Sequence, residues 1–225
     1  MTMILIREID TLKHRMLRMS LDVEKRLDEA LRALAERNAD LSRDIIARDD
    51  EIDRAEVEIE EECLKILALH QPVASDLRQV VAVLKINNDL ERLADIAVNI
   101  AQRVERLAEV PPSGLEPHLR DMSASAAAML RMALDSLMQQ DVARARRAIE
   151  MDHHLDGLHQ ETFERVVRRI REGDMAVESL LLLLGISRDI ERIGDHATNI
   201  AEDMIYMFAG AIVRHGHDPL PNETT

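Results

Sequence analysis

Aromatic side chains are nearly missing from this chain. They make up 1% of its 225 residues, as Phe163, Tyr206 and Phe208. A core built without them depends on Leu, Ile, Val, Ala and Met, which suits packed helices better than a β-sandwich. Hydrophobic residues still reach 46%, enough for such a core. Cysteine is as scarce. Cys63 is the only one, so no internal disulfide forms and no thiolate metal centre is suggested. It lies in the apolar run CLKILAL and is expected to be a buried small side chain. Positive charge is the third deficit. There are 29 Lys and Arg against 43 Asp and Glu, a formal net charge of −14. Such a chain repels phosphate backbones. That argues against direct nucleic-acid binding and for cations or basic protein surfaces as partners.

No apolar run approaches the roughly 18 residues of a membrane span. The opening MTMILIREIDTLKHRM turns charged at Arg7, Glu8 and Asp10, so it is not read as a signal peptide. A cytoplasmic location is expected, with membrane contact only through partners. A Gly-rich phosphate loop, a G-x-S-x-G element and an H-E-x-x-H element are all missing.

What the chain does have is a repeat. Asn87 to Arg103 reads NNDLERLADIAVNIAQR, and Ser187 to Asp203 reads SRDIERIGDHATNIAED. Asp89, Glu91, Arg92, Asp95, Asn99, Ile100 and Ala101 recur without a gap as Asp189, Glu191, Arg192, Asp195, Asn199, Ile200 and Ala201. One side of the first copy is an apolar seam of Val83, Ile86, Leu90, Leu93, Ala97, Ile100, Val104 and Leu107. The second keeps the register with Leu183, Ile186, Ile190, Ile193, Ala197, Ile200, Met204 and Met207. Alternating steps of three and four are the spacing of a long packed helix.

Six long helical segments are expected. They run from Ile6 to Glu36, from an Asp40 cap to Leu69, and from a Ser75 or Asp76 cap to Glu109. The others run from Glu116 to Met138, from Gln139-Gln140-Asp141 to Arg171, and from Gly173-Asp174 to Phe208. Long helices joined by short turns run up and down. The fold class is therefore all-α: two tandem three-helix bundles, six antiparallel helices related by the internal repeat. Pro111, Pro112, Ser113, Gly114 and Pro117 mark the middle. Residues 1–110 are the first repeat, 111–117 a linker, 118–210 the second repeat and 211–225 a polar, frayed tail. Gly194 stands mid-helix where the first copy has Ala94, at a cost of about 1 kcal/mol relative to Ala. A small residue there lets another helix approach closely.

About a third of a turn round from the seam runs an oxygen-rich stripe: Glu91, Asp95 and Asn99, then Glu191, Asp195 and Asn199. Carboxylates four apart on a helix repel, by about 0.2–0.5 kcal/mol. A solvated face, with Arg92 and Arg192 as partners, is the plain reading. The duplication favours a bound cation that removes the repulsion. Asp49 with Asp53, continued by Glu56 and Glu60, and Asp152 with Asp156 add two more pairs. Carboxylates converging from neighbouring helices suit divalent ions such as Mg, Mn, Fe or Ca. His196 replaces Ile96 and is read as a core or supporting residue. His153 and His159 lie near Asp152 and Asp156, and His215 and His217 sit in the tail. Glu150 and His153 match one Glu-x-x-His element of ferritin-like proteins, without the second such element that fold needs. A carboxylate-bridged di-metal enzyme and a metal-free helical scaffold are the alternatives to a metal-binding regulator.

The segments LERLADIAVNIA (90–101) and IERIGDHATNIA (190–201), with the opening REIDTLKHRMLRM, resemble the paired signatures of the PhoU family. The resemblance spans nearly the whole chain. It implies a cytoplasmic, dimeric, non-enzymatic protein that restrains phosphate uptake and phosphate-starvation signalling. Its implied partners are the ATPase of the phosphate-specific ABC transporter and a PhoR-type sensor histidine kinase. The family's E(D)-x-x-x-D motifs, which bind divalent metal (Mg, Mn, Fe or Zn) in some members, correspond here to Glu91 with Asp95, Glu191 with Asp195, Asp49 with Asp53, and Asp152 with Asp156.

Overall fold

Both apolar seams are buried along their whole length. No residue of either is more than 3% exposed, from Val83 to Leu107 and from Leu183 to Met207. Burial of each Leu, Ile or Met contributes about 1.5–3 kcal/mol, so the two seam helices are the spine of the molecule. A computed structural model describes residues 3–213. It contains eight α-helices and, among the described residues, no strand. These are α1 (Met3–Glu36), α2 (Ala39–Ala47), α3 (Asp50–His70), α4 (Ala74–Glu109), α5 (Glu116–Gln139), α6 (Val142–Glu150), α7 (Asp152–Arg171) and α8 (Val177–Ala209).

Eight helices replace the six expected because the second and fifth segments are each broken near one end. The first break falls at Arg48 and Asp49, the second at Met151. Neither contains Gly or Pro, so the sequence carries no local sign of them. At the first, the buried Arg26 of α1 donates to the carbonyls of Arg48 at 2.6 Å and Asp49 at 3.3 Å. A guanidinium 4% exposed thus satisfies backbone groups that the interrupted helix frees.

The caps also differ from expectation. Asn38, not Asp40, caps α2 by accepting from the Leu41 N–H at 3.0 Å. α4 begins at Ala74 after Val73, so Ser75 and Asp76 lie inside it rather than capping it. Asp141 caps α6, accepting from the Arg144 N–H. Between α7 and α8, Gly173 takes φ +82° and Asp174 accepts from the Ala176 N–H at 2.8 Å.

Each half is a three-layer bundle: α1, α2–α3 and α4, then α5, α6–α7 and α8. The halves meet along α4 and α8, which run antiparallel: Lys85 pairs with Asp203, Asp89 with Asn199, and Arg106 with Glu178. The turn before α5 is fixed by Glu116, whose carboxylate accepts from the Ser113 and Gly114 N–H groups and pairs with Arg37 at 3.2 Å. Burial alone would raise its pKa; the backbone donors and Arg37 overcome that and hold the carboxyl below its usual value. Cys63 is fully buried, and burial with Glu60 and Glu62 nearby pushes its thiol up to about 12. No helix of the described residues is long and apolar enough to cross a membrane. The tail beyond Val213, with His215 and His217, lies outside the described residues.

Candidate functional site

The two helix breaks set the acidic pairs. Asp49 stands at the break before α3 and Asp53 one turn inside it; Asp152 opens α7 and Asp156 follows. These starts present the positive end of the helix dipole, where carboxylates are tolerated.

Across from them lie the stripes of α4 and α8. The Asp49 carboxyl is held above its usual pKa by burial, then by Asp53 on its own helix and Asp95 on α4. Glu91 is raised by burial and Asp95, with Asp53 and Glu56 of α3 adding to it against the opposing pull of Arg92. The second half repeats this. Asp152 is raised by burial, Asp156 and Asp195; Glu191 by burial, Asp195 and Asp156; Asp195 by burial and Asp156. The four pairs therefore form two facing clusters, one on α3–α4 and one on α7–α8. Arg92 neutralises the first only loosely, at 3.5 Å from Glu91 and 4.0 Å from Asp95.

Carboxylates that repel one another in a partly desolvated groove are the donor set a hard divalent ion takes. The chemistry fits. Among the described residues, however, no three His, Cys, Asp or Glu side chains stand close enough to hold an ion as they are. The faces bring the donors opposite each other, and ligation requires the side chains to turn inward.

The asparagines do not share one role. Asn199 donates to Asp89 Oδ1 at 3.2 Å, so its amide is committed to the α4–α8 joint. Asn99 is half-buried on the α4 stripe. His196 also serves the joint, with Nδ1 2.7 Å from the same Asp89 oxygen. His153 and His154 are exposed, whereas His159 is half-buried with Nδ1 2.9 Å from Ser187 Oγ. Glu150 ends α6 and His153 lies in α7, so the break at Met151 splits the Glu-x-x-His element.

The joint itself was not foreseen. Asp89 and Asp189 recur in the repeat, and both prove to be buried charges, 7% and 4% exposed. Asp89 takes His196 and Asn199; Asp189 takes Arg103. Asp203, 2% exposed, takes Lys85 at 2.7 Å. A polar cavity of about 660 Å³ opens here, lined by Glu60, Lys85, Asp89, Asn199, Glu202 and Asp203 among others. The sequence signal was present, since an Asp two residues before Glu91 and Glu191 falls off the acidic stripe.

Known proteins carry the same plan. The profile of the PhoU domain matches twice, at residues 16–104 and 119–204. This chain belongs to the PhoU family. It is 35% identical over 205 residues to the phosphate-specific transport system accessory protein PhoU homolog 1 of Thermotoga maritima, covering 91% of this chain and 88% of that protein. It is 37% identical over 213 residues to the PhoU homolog of Aquifex aeolicus, 95% of this chain and 96% of that one. The crystal structure of PhoU from Pseudomonas aeruginosa superposes with a TM-score of 0.87 at 33% identity, covering 91% of this chain and 99% of its own. The phosphate transport system regulatory protein PhoU from Streptococcus pneumoniae gives 0.86 at 26% identity, over 93% and 99% of the two chains. The relatives' names attach them to phosphate transport.

Proposed function

We propose that this chain is a non-enzymatic, cytoplasmic regulator of phosphate uptake and phosphate-starvation signalling. It acts as a homodimer by touching the ATPase of a phosphate ABC transporter and a PhoR-type sensor kinase. The observation that carries the reading is the duplicated acidic face on a PhoU-family chain of net charge −14. Glu91, Asp95, Asp49 and Asp53 hold a divalent ion on one face; Glu191, Asp195, Asp152 and Asp156 hold one on the other. A bound ion supplies positive charge that relieves the crowding of carboxylates and presents an anchoring point to a partner. The protein's own part is to space the two faces on rigid helices and to keep them half-desolvated.

Deleting the gene should derepress phosphate uptake and starvation genes in phosphate-rich medium; unchanged expression would remove the regulatory reading. For the ions, changing Glu91, Asp95, Glu191 and Asp195 together to Ala should abolish bound Mn or Fe in elemental analysis. Retained metal would move the sites elsewhere.

A further inference from the structure

The cavity of about 660 Å³ at the α4–α8 joint has four carboxylates and one ammonium in its wall: Glu60, Asp89, Glu202 and Asp203, with Lys85. Asp89 sets its chemistry. That side chain is only 10% exposed. Its Oδ1 is engaged by His196 Nδ1 at 2.7 Å and by Asn199 Nδ2 at 3.2 Å. Its Oδ2 has no hydrogen bond or ion pair among the described residues, yet it is not sealed from solvent. Since Asp89 lines the cavity, Oδ2 is the oxygen that faces into it. A carboxylate nine-tenths desolvated, with one oxygen unmatched, is where an incoming cation gains most.

The repeat shows which cation. By the hundred-residue offset, Asp189 corresponds to Asp89, Gly185 to Lys85, Arg188 to Asn88 and Asp203 to Arg103. At Asp189 the chain supplies the cation itself. Arg103 passes over Gly185 and donates to that carboxylate. With Arg192 and Arg188 it pulls the Asp189 pKa down, against the rise that burial causes. On the cavity side two of those three guanidinium groups are replaced, Arg103 by Asp203 and Arg188 by Asn88. Lys85 does not make up for them. It pairs with Asp203 at 2.7 Å and forms no ion pair with Asp89. One buried aspartate therefore wears a guanidinium from its own chain, and its twin looks into an acidic cavity.

A second hollow of about 190 Å³ adjoins the first. It shares Lys85, Glu202 and Asp203, and its other walls are Val81, Tyr206, Ile212 and Val213. Val81 precedes Asp89 on α4 by eight residues, about 12 Å along the axis. An arginine side chain together with the residue beside it spans that distance. We infer that the cavity receives an arginine of a partner protein, its guanidinium on Asp89 and a neighbouring apolar side chain in the hollow beside Tyr206. A guanidinium suits the place better than an ammonium. It sheds water more readily, and its five N–H groups can be shared among several carboxylates. The inference is independent of the metal faces. It rests on the reading that the chain works by contact with other proteins, which the gene deletion tests separately.

The experiment uses the full chain, isotopically labelled, in an amide NMR titration. The probes are a blocked leucyl-arginine dipeptide and its citrulline analogue, which keeps the shape and loses the charge. The arginine peptide should shift the amides of Lys85, Asp89, Asn199 and Tyr206 to saturation. The citrulline peptide should bind about tenfold or more weakly, and Asp89→Asn should weaken the arginine peptide by a similar factor. Asp89→Asn also touches the joint with His196, so a second variant tests the cavity without that change. Lys85→Gly with Asp203→Arg copies Gly185 and Arg103 and lays the chain's own guanidinium on Asp89. It should keep the folded spectrum and abolish peptide binding. Equal binding of the two peptides, shifts confined to the acidic faces of α3–α4 and α7–α8, or binding that survives the double exchange would overturn the inference. So would agmatine, a free guanidine, binding as tightly as the peptide, because the cavity would then serve a small molecule.

Discussion

His196 of α8 and Asp89 of α4 meet at 2.7 Å across the joint between the two repeats. Asp89 is 7% exposed, so its charge depends on His196 and on Asn199 one turn along α8. The first repeat places Ile at position 96, which has no partner to give. His196→Ile should therefore leave the Asp89 carboxylate half satisfied and cost about 1–3 kcal/mol. Urea unfolding measures it. A midpoint equal to that of the parent would mean that Asn199 alone suffices.

At the mirror carboxylate, Asp189, the partner is Arg103, and a glycine makes room for it. Arg103 of α4 lies across Gly185 of α8 to reach Asp189. A Cβ on Gly185 would stand 2.8 Å from Arg103 Nε and 3.3 Å from its Cδ. The middle of that side chain cannot yield without pulling its head off Asp189. Gly185→Ala gains about 1 kcal/mol of helix propensity and loses a charged hydrogen bond of about 1.5–3 kcal/mol, for a net destabilisation. The sign should reverse when Arg103 is first changed to Met, since the glycine then accommodates nothing. A double-mutant cycle by denaturant midpoint reads the coupling. Additive changes would show that Gly185 does not serve Arg103.

How far the sequence showed all this depends on the kind of signal. The seams of α4 and α8 were legible because about seven turns each of strict three-and-four spacing leave no other way to bury Val83 through Leu107 or Leu183 through Met207. The acidic pairs were legible because like charges four apart need a reason, and the structure sets them face to face. The breaks at Arg48–Asp49 and Met151 were not legible. No Gly or Pro announces them, and the first is held by a guanidinium from a different helix, a contact 22 residues away in sequence. The joint was missed for a similar reason: Asp189 looks like one more surface acid until Arg103, 86 residues away, is brought beside it.

Gly194 is where sequence and packing agree. A Cβ there would stand 2.5 Å from Leu155 Cδ2 on α7, so the missing methyl is the space that Leu155 fills. In the first repeat the corresponding residues are Ala94 and Ile52, and both are buried. Gly194→Ala should destabilise despite its propensity gain of about 1 kcal/mol, because overpacking a filled core costs about 1–3 kcal/mol. Adding Leu155→Ile restores the pairing of the first repeat and should recover the loss in a thermal melt. Failure of the second change to rescue the first would place the strain on some other neighbour.

The acidic faces also fix how stability depends on pH. Glu91, Glu191, Asp49, Asp152 and Asp195 are all raised above their ordinary values of 4.5 and 3.8, first by burial and then by neighbouring carboxylates. Each therefore takes up its proton at a higher pH in the folded chain than in the unfolded one. As pH falls through the folded values the native state gains protons first, and stability rises until the unfolded values are passed. His159 works against this, because its folded value lies below 6.5 and the unfolded chain protonates first. Glu116 is depressed and matters only at lower pH, where its contribution is lost. The clean measurement is a difference between parent and the variant Glu91→Gln, Asp95→Asn, Glu191→Gln, Asp195→Asn. As pH falls from neutral toward the ordinary carboxylate values of 4.5 and 3.8, the parent's Tm should rise relative to the variant's, since the parent has more crowded carboxylates to relieve. Saturating Mn²⁺ should lift the parent's Tm at neutral pH and shrink that rise, because ion and proton relieve the same repulsion. Parallel pH curves for the two proteins would mean that the carboxylates are already neutralised by solvent.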